Sequence, residues 1–376
     1  MENKQKQTTV PNYYEAFQCI GGACEDTCCA GWYLPIDAQT LKKYKKVKEP
    51  IMKRRLDKEI VVKKGAVDAS CAAKIKLKNN RCAFLSKEGW CDIQSQLGAV
   101  YLSESCHFYP RTANQLNEQV EYSLTLSCPE AARQVLCQKE GISFKKGGVL
   151  PQSAIQTISA ELRYQAQKPK TWQDYCEVYR DGLIHQLQTR EVGISECLAQ
   201  IEDKFITINQ HIARHDLKKI PVAMNQVTKK RTLPLLEREV FEHIQEVFKE
   251  LLTTKKINSA SYKDLLPSLI ALEYATYQNT LGEYTTKVEE TLRYMLENYF
   301  VHYVFDRCIP LDAQTPYESI GRMIDYYQLL RLHLIAIMAE GRIGEEEVVA
   351  LIQGFTKVYD HGENHLSKIL RCLHKK

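Results

Sequence analysis

The sequence predicts a mainly α-helical protein with a cysteine-rich N-terminal module and a larger α-helical C-terminal region. Two observations lead to this prediction. Ten of the 14 cysteines fall within the first 137 residues, and beyond about residue 150 apolar residues recur at helical spacing. We therefore predict two domains, a metal- or iron–sulfur-binding module over residues 1–146 and an α-helical domain over residues 147–376. The polar, glycine-containing stretch at 145–148 is the predicted linker between them.

The N-terminal module is predicted to contain short elements. Helices are expected at residues 15–19, 38–46, 94–102 and 129–139, and strands at residues 74–77 and 120–126. Pro129 stands near the start of the last of these helices, where proline is favoured.

The C-terminal region is predicted to be a series of long helices. Apolar stripes indicate helices over 233–248, 265–281, 288–305 and 317–340. Thr315 and Pro316 have the residue types of an N-cap and a first helical position. Three glutamates after Gly344 start a last helix, because carboxylates favour the positive end of the helix dipole. Residues 209–231 are expected to form a loop or lid.

Composition and charge exclude several classes of protein. The chain has 51 Lys and Arg against 46 Asp and Glu, so its weak positive charge does not indicate a nucleic-acid partner. It lacks the run of about 18 apolar residues that a membrane helix needs, and its N-terminus lacks the apolar stretch of a signal peptide. We expect no membrane partner and a cytoplasmic location, where cysteines bind metals or do chemistry more often than they form structural disulfides.

Eight cysteines lie in polar or glycine-rich surroundings and are the candidate metal ligands. We expect four of these eight to bind the metal or cluster. The eight are Cys19, Cys24, Cys28, Cys29, Cys82, Cys91, Cys106 and Cys128. Only His107 accompanies them, so an all-sulfur site is favoured, either a four-thiolate zinc or an iron–sulfur cluster. The remaining cysteines are expected to be small buried residues: Cys71, Cys137, Cys176, Cys197, Cys308 and Cys372.

Spacing alone does not distinguish zinc from iron–sulfur. Glycines at 21, 22 and 31 would let backbone N–H groups approach sulfur, and nearby aromatic residues would exclude water, which favours an iron–sulfur cluster. Signatures of other enzymes are missing, including phosphate-binding and dinucleotide-binding glycine loops and the HExxH and GxSxG motifs. His361 and His365 have ligand spacing, but their intervening residues favour a loop without metal.

Four segments together resemble one known family. Residues 14–32 (YEAFQCIGGACEDTCCAGW), 74–98, 101–111 (YLSESCHFYPR) and 124–133 (LTLSCPEAAR) resemble the bacterial flagellin lysine N-methylase family. They also share the looser pattern of the zinc- or iron-chelating CxxCxxCC proteins.

The resemblance implies a cytoplasmic methyltransferase that uses S-adenosylmethionine to methylate lysine side chains of flagellin and depends on a [4Fe-4S] cluster. It implies substrate docking on the helical region. For the acceptor lysine the candidate residues are Glu104, Tyr109 and Tyr122, and for S-adenosylmethionine they are Ser105 and Arg111. The spacing Cys24-x3-Cys28-Cys29 differs from C-x3-C-x2-C, so radical and polar methyl transfer both stay open.

Two other functions remain as alternatives. In the first, a four-thiolate zinc would staple a helical interaction protein that has no catalytic activity. In the second, the chain would be a ferredoxin-like electron carrier, for which 376 residues is long. The sequence does not indicate an oligomeric state.

Overall fold

Helices dominate the molecule, as the sequence predicts. The computed structural model of the chain describes residues 7–63, 69–147, 158–253, 257, 259–360 and 365–374. The helices in these ranges are α1 (Asn12–Ala16), α2 (Ala38–Lys45), α3 (Pro50–Glu59), α4 (Asp92–Leu97), α5 (Glu104–Phe108), α6 (Pro129–Leu136), α7 (Cys176–Gln188), α8 (Ile194–Ala213), α9 (Ile220–Met224), α10 (Arg238–Thr253), α11 (Ala260–Ala271), α12 (Tyr274–Asn279), α13 (Leu281–Tyr284), α14 (Arg293–Asp306), α15 (Pro316–Ala339), α16 (Glu345–Tyr359) and α17 (His365–Leu373).

The strands are short and form three small sheets. They are β1 (Gln7–Pro11), β2 (Pro35–Ile36), β3 (Ile60–Val62), β4 (Ala73–Ile75), β5 (Leu77–Lys78), β6 (Arg81–Cys82), β7 (Arg111–Leu116), β8 (Gln119–Leu124), β9 (Phe144–Lys146) and β10 (Ala160–Leu162). None of the helices in the described ranges is long and apolar enough to cross a bilayer.

The largest sheet draws strands from both sides of residue 146. Its order is β10-β7-β8-β1-β9, with β7 and β8 an antiparallel hairpin in which Arg111 lies opposite Leu124. β1 runs parallel to β8, and β10 runs parallel to β7. Lys145 and Lys146 pair with β1 as part of β9, so they are not linker residues. The N–H of Gly147 donates to Thr8 O at 2.7 Å, whereas Gly148, the last residue of the predicted linker, and residues 149–157 lie outside the described residues.

A small separate core lies under the cysteine-bearing loops. It is built from the sheet β2-β4-β3, from α2 and α3, and from the loop after β6. Its buried side chains are Leu34, Ile36, Tyr44, Val47, Met52, Leu56, Ala73, Ile75, Cys82, Phe84 and Ile93. Because the module has so few long elements, this small apolar core is what holds its loops in place.

The main core joins the five-stranded sheet to the C-terminal helices. It contains buried residues of β1, β8 and α6 together with those of α7 to α17. α14 is buried around most of its circumference, as expected for a helix at the centre of a bundle. The domain boundary predicted between residues 146 and 147 stays a prediction. The main apolar core contains residues from both sides of that boundary.

Several helix boundaries agree with the sequence. Thr315 caps α15 by accepting a hydrogen bond at 3.2 Å from the backbone N–H of Glu318, and Pro316 is the first helical residue. α16 begins with the three glutamates that follow Gly344. The helices predicted near residues 38–46 and 129–139 are confirmed as α2 and α6.

Other boundaries differ, and long-range contacts explain why. Residues 233–237 have no regular secondary structure instead of the predicted helix, because distant side chains bind their backbone groups. The N–H of Leu233 donates to Ser195 Oγ at 3.1 Å, and that of Leu236 donates to Tyr277 Oη at 3.2 Å. The loop predicted over 209–231 is wrong for its first part, since α8 continues to Ala213 and α9 follows. The helix predicted over 265–281 is interrupted between α11 and α12, and a π-helix over Thr285–Thr291 precedes α14.

Candidate cysteine-rich site

Main-chain hydrogen bonds bring the first two cysteine segments side by side. The N–H of Cys82 donates to the carbonyl of Cys29 at 2.7 Å, and the N–H of Gly31 donates to the carbonyl of Asn80 at 2.9 Å. The loop after Cys82 closes on itself, because the N–H of Asp92 donates to Phe84 O at 2.8 Å. These bonds hold Cys29, Cys82 and Cys91 in one neighbourhood.

A third segment arrives with the short helix α5, which carries Cys106. Asp37 accepts from the N–H of Thr40 at 2.7 Å and from the N–H of Glu104 at 3.0 Å, so one carboxylate caps both α2 and α5. Burial opposes ionisation of Asp37, but these backbone donors hold its pKa below the usual range. The anchored α5 places Cys106 against the small core.

Four thiols, from all three segments, meet at this point. Cys82, Cys91 and Cys106 each lie close enough to Cys28 for a negative charge on one sulfur to raise the pKa of the other. Burial is the main cause that raises the pKa of Cys82 to about 12 and that of Cys106 to about 11. The adjacent Cys29 thiol, together with burial, raises the pKa of Cys28.

Cys28 also belongs to a second group of thiols. Burial raises the pKa of Cys24 to about 11 and that of Cys128 to about 12, and Cys28 adds to the shift of each. Cys19 is exposed and lies near Cys24. Cys28 is therefore the thiol that lies near members of both groups.

This donor set has the chemistry of a site for a thiophilic metal. Crowded, partly buried thiols stay protonated by themselves, whereas a cation among them favours the thiolate forms that bind metal. Among the described residues, no group of three or more His, Cys, Asp or Glu is placed so that it could hold a metal ion as the side chains stand. The residues fit a zinc ion or an iron–sulfur cluster by donor type, and binding would have to draw the sulfurs together.

Glycines 21 and 22 leave room for an aromatic ring. A Cβ on Gly21 would lie 2.4 Å from Cζ3 of Trp90, and one on Gly22 would lie 2.8 Å from Nε1 of the same ring. The two glycines therefore seat the indole that precedes Cys91. This contact packs the loop of Cys19 and Cys24 against the loop of Cys91.

Tyr109 is the predicted catalytic residue that lies at the thiols. Its ring packs edge-on against Trp32, with ring centroids 4.8 Å apart, and its hydroxyl lies 3.1 Å from Ser127 Oγ. The indole N–H of Trp32 donates to the carbonyl of Cys28 at 2.5 Å. Burial raises the pKa of Tyr109 well above its usual value, with further contributions from Cys128 and Cys28.

The other predicted site residues are spread around Tyr109. Tyr122 is buried in the main core on β8, with its ring centroid 5.8 Å from that of Tyr14. Arg111 begins β7, and its guanidinium lies over the rings of Phe17 at 5.1 Å and Tyr14 at 5.9 Å.

Glu104 and Ser105 occupy the first turn of α5. Ser105 is exposed, and Glu104 is half-buried. They therefore flank Cys106, as expected from the sequence.

Sequence reasoning missed two residues that contact the cysteine loop. Lys357 and Gln353, both on α16, reach Asp26 between Cys24 and Cys28. A signal for them was present, because they are polar residues four positions apart on the otherwise apolar side of a predicted helix.

The cysteines outside the group of eight mostly behave as predicted. Cys176, Cys197, Cys308 and Cys372 are buried, and Cys137 packs against the main core. The prediction for Cys71 is wrong: it is only half-buried, and its sulfur lies 3.3 Å from Tyr33 Oη. None of the 14 cysteines forms a disulfide. His361, of the histidine pair with ligand spacing, lies outside the described residues.

Comparison with known proteins supports the family resemblance. The family model of the FliB lysine N-methylase C-terminal domain matches residues 180–376. A lysine-N-methylase of Salmonella typhimurium is 30% identical over 152 residues, which are 40% of this chain and 37% of the relative. The flagellar biosynthetic protein FliU of Salmonella muenchen is 33% identical over 143 residues, which are 38% of this chain and 83% of the relative.

Coverage differs between these relatives. The chain spans 37% of the length of the lysine-N-methylases that it matches. No solved structure matches the chain. The family model covers the helical region, and the four cysteine-bearing segments that resemble the same family lie before it. The chain therefore belongs to the FliB lysine N-methylase family.

Proposed function

We propose that this chain is a protein lysine N-methyltransferase that transfers a methyl group from S-adenosylmethionine to lysine side chains of flagellin in the cytoplasm. We further propose that it depends on a cysteine-bound [4Fe-4S] cluster. The observation that supports the proposal is that backbone hydrogen bonds and the small core bring the segments of Cys28, Cys82, Cys91 and Cys106 into one neighbourhood, with Tyr109 near Cys28, in a chain of this family. The names of the relatives, lysine-N-methylase and flagellar biosynthetic protein, support the reaction and the flagellar substrate.

Cys28, Cys82, Cys91 and Cys106 are the candidate ligands of the cluster. If three of them bound it, one iron would stay open, and the cluster would supply a position that could hold S-adenosylmethionine. Loop anchoring by Asp37 and by the Cys82–Cys29 backbone hydrogen bond keeps the cysteine segments in register for this task.

Arg111 is the residue we propose for the carboxylate of S-adenosylmethionine. Its Nε is buried and has no hydrogen-bond partner among the described residues, so a donor is available there. A guanidinium matches a carboxylate in shape and charge. The nearby rings of Tyr14 and Phe17 would attract a sulfonium, because aromatic faces bind cations.

The acceptor lysine has to lose its proton before it can attack a methyl group directly. Its pKa is ordinarily about 10.4, so the site has to lower that value by desolvation or remove the proton with a base. Tyr109 keeps its proton at neutral pH because burial raises its pKa, so it serves as a hydrogen-bonding group and not as the base. Glu104, at the start of α5, is our candidate for the base.

The C-terminal helices are the proposed docking surface for flagellin. They make up most of the region that the family model covers. Because α16 contacts the cysteine loop directly, a protein bound to these helices would lie near the candidate site.

Purification without oxygen tests the cluster, and a methylation assay tests the reaction. We expect a brown protein with an absorption band near ~400 nm that bleaches on reduction. Incubation with S-adenosylmethionine and flagellin should raise the mass of flagellin in multiples of one methyl group. Cys28→Ser should lose the colour, whereas the control Cys137→Ser should keep it.

The outcomes separate the proposal from its main alternative. A colourless protein that holds one zinc and leaves flagellin unchanged would support the non-catalytic zinc protein, because the same thiols fit a four-thiolate zinc site. A coloured protein that leaves flagellin unchanged would refute the proposed reaction and retain the cluster.

A further inference from the structure

Two side chains of α16 extend into the loop that carries Cys24, Cys28 and Cys29. The ammonium of Lys357 lies 2.7 Å from Asp26 Oδ1 and donates to the carbonyl of Thr27 at 3.2 Å. The amide of Gln353 donates to Asp26 Oδ2 and to the carbonyl of Ser127, each at 2.9 Å. Both carboxylate oxygens of Asp26 are therefore hydrogen-bonded to side chains of α16.

Lys357 and Gln353 are themselves buried, so their contacts with the loop are largely shielded from water. Lys357 is 4% exposed and Gln353 is 3% exposed, although lysine is almost never buried unless it is paired. Exposed ion pairs contribute little, whereas removal of one partner of a buried pair leaves an uncompensated charge and is costly. The Lys357–Asp26 pair therefore holds its loop far more firmly than the surface ion pairs of the chain hold theirs.

The loop residues that α16 contacts, Asp26 and Thr27, lie between Cys24 and Cys28. The thiol of Cys24 donates to the carbonyl of Asp26 at 3.3 Å, and the N–H of Cys29 donates to Thr27 Oγ1 at 3.1 Å. Asp26 and Thr27 thus connect Lys357 to the backbone on either side of Cys28. The ammonium is also near enough to Cys28 to interact with a negative charge on its sulfur.

We propose that Lys357 is a positioning residue that fixes the loop of Cys24, Cys28 and Cys29 in the arrangement required for metal or cluster binding. Through it, the C-terminal helical region controls the cysteine site. The proposal rests on the proposed function only in taking the thiols to be ligands. A loop held at its centre loses less conformational freedom when its sulfurs bind a cation. The contacts of Lys357 with the loop therefore raise the affinity of the thiols for metal.

Two measurements on metal-free, reduced protein test this role. The first is the rate of iodoacetamide alkylation of each cysteine, followed by mass spectrometry with half-exposed Cys71 as internal reference. The second is the affinity for Zn²⁺, used as a thiophilic probe in competition with a coloured chelator. Neither measurement requires an iron–sulfur cluster or methylation, so the result is independent of the proposed reaction.

Lys357→Met removes the charge and the hydrogen bonds while it retains the length of the side chain. We expect alkylation of Cys24, Cys28 and Cys29 to speed up about 10-fold, and Zn²⁺ to bind about 10-fold more weakly, as for the loss of a group that orients metal ligands. Lys357→Arg should restore most of both values, because arginine keeps the charge and the donors. The control Lys368→Met breaks an exposed ion pair with Glu250 and should change neither value.

The proposal also makes a prediction if Lys357→Met does not fold. Asp26→Asn keeps hydrogen-bonding atoms at the same place and removes the buried carboxylate charge, and it should show the same selective effect on the three thiols. Unchanged Zn²⁺ affinity in a folded Lys357→Met or Asp26→Asn protein would overturn the proposal. Equal acceleration at Cys71 and at the three thiols would overturn it too, because it would reveal general loosening.

Discussion

The ion pair between Arg180 of α7 and Glu121 of β8 joins the sheet to the helical core, and its removal should strongly destabilise the protein. The guanidinium makes two hydrogen bonds to the carboxylate, at 2.9 and 2.8 Å, and lies 5.3 Å from the centroid of the Phe305 ring. Only 10% of the Arg180 side chain and 6% of the Glu121 side chain are exposed. Arg180→Met keeps most of the volume but leaves the carboxylate buried and unpaired.

We expect this variant to lose about 3–4 kcal/mol of unfolding free energy, the usual cost of stranding one partner of a buried pair. The double variant Arg180→Met/Glu121→Leu removes both charges and should lie within about 1 kcal/mol of the original protein. Glu121→Leu alone strands the guanidinium and should cost about as much as Arg180→Met, so the coupling in a double-mutant cycle is expected to be about 5–7 kcal/mol.

Urea unfolding, followed by circular dichroism, measures these differences. Arg163→Met serves as control, because its ion pair with Glu161 is exposed, and it should leave the midpoint unchanged. If the double variant lost as much stability as the sum of the two single variants, the argument from a stranded charge would be refuted.

Three further predictions follow from other parts of the molecule. Gly21→Ala should displace the indole of Trp90 and change its fluorescence. The control Gly147→Ala, also at positive φ but with open space around it, should cost only backbone strain of about 1–2 kcal/mol. Identical Trp90 spectra in Gly21→Ala and the original protein would contradict this. Burial lowers the pKa of His333 to about 4, so its contribution of roughly 2–3 kcal/mol to the free energy of unfolding is present above pH ~6.5 and is lost as the pH falls toward ~4. His333→Phe should remove this pH dependence of the unfolding free energy measured with urea. Arg111→Leu should weaken S-adenosylmethionine binding by about 10–100-fold in calorimetry, because a charge-assisted hydrogen bond contributes roughly 1.5–3 kcal/mol, and unchanged affinity would remove Arg111 from the site.

Local signals in the sequence were sufficient for much of the helical architecture. The cap at Thr315 and the acidic first turn after Gly344 each depend on neighbouring residues, so the starts of α15 and α16 could be predicted. The irregular segment at 233–237 could not be predicted, because Ser195, Tyr277 and Arg331 form hydrogen bonds with its backbone groups from elsewhere in the fold. An apolar stripe records the propensity for a helix and carries no information about such competing partners.

The candidate site shows the same division. The density of cysteines, their polar surroundings and the family resemblance were readable from the chain, as was the location of Tyr109 and Glu104 beside Cys106. The sequence did not indicate which thiols are neighbours, because that depends on backbone pairing such as the Cys82–Cys29 hydrogen bond. It also did not indicate that glycines 21 and 22 accommodate Trp90.

The sequence by itself determined that this protein is mainly helical, that its thiols are concentrated near the N-terminus, and that it resembles flagellin lysine N-methylases. Only the tertiary structure decided that Cys28 lies near both groups of thiols and that Lys357 forms an ion pair with the loop around it. The physical reason is distance along the chain: Lys357 and Asp26 are 331 residues apart, and no local preference of either residue specifies the other. Their pairing arises because packing of the helical core places α16 against the cysteine loop, where a buried ammonium requires a carboxylate.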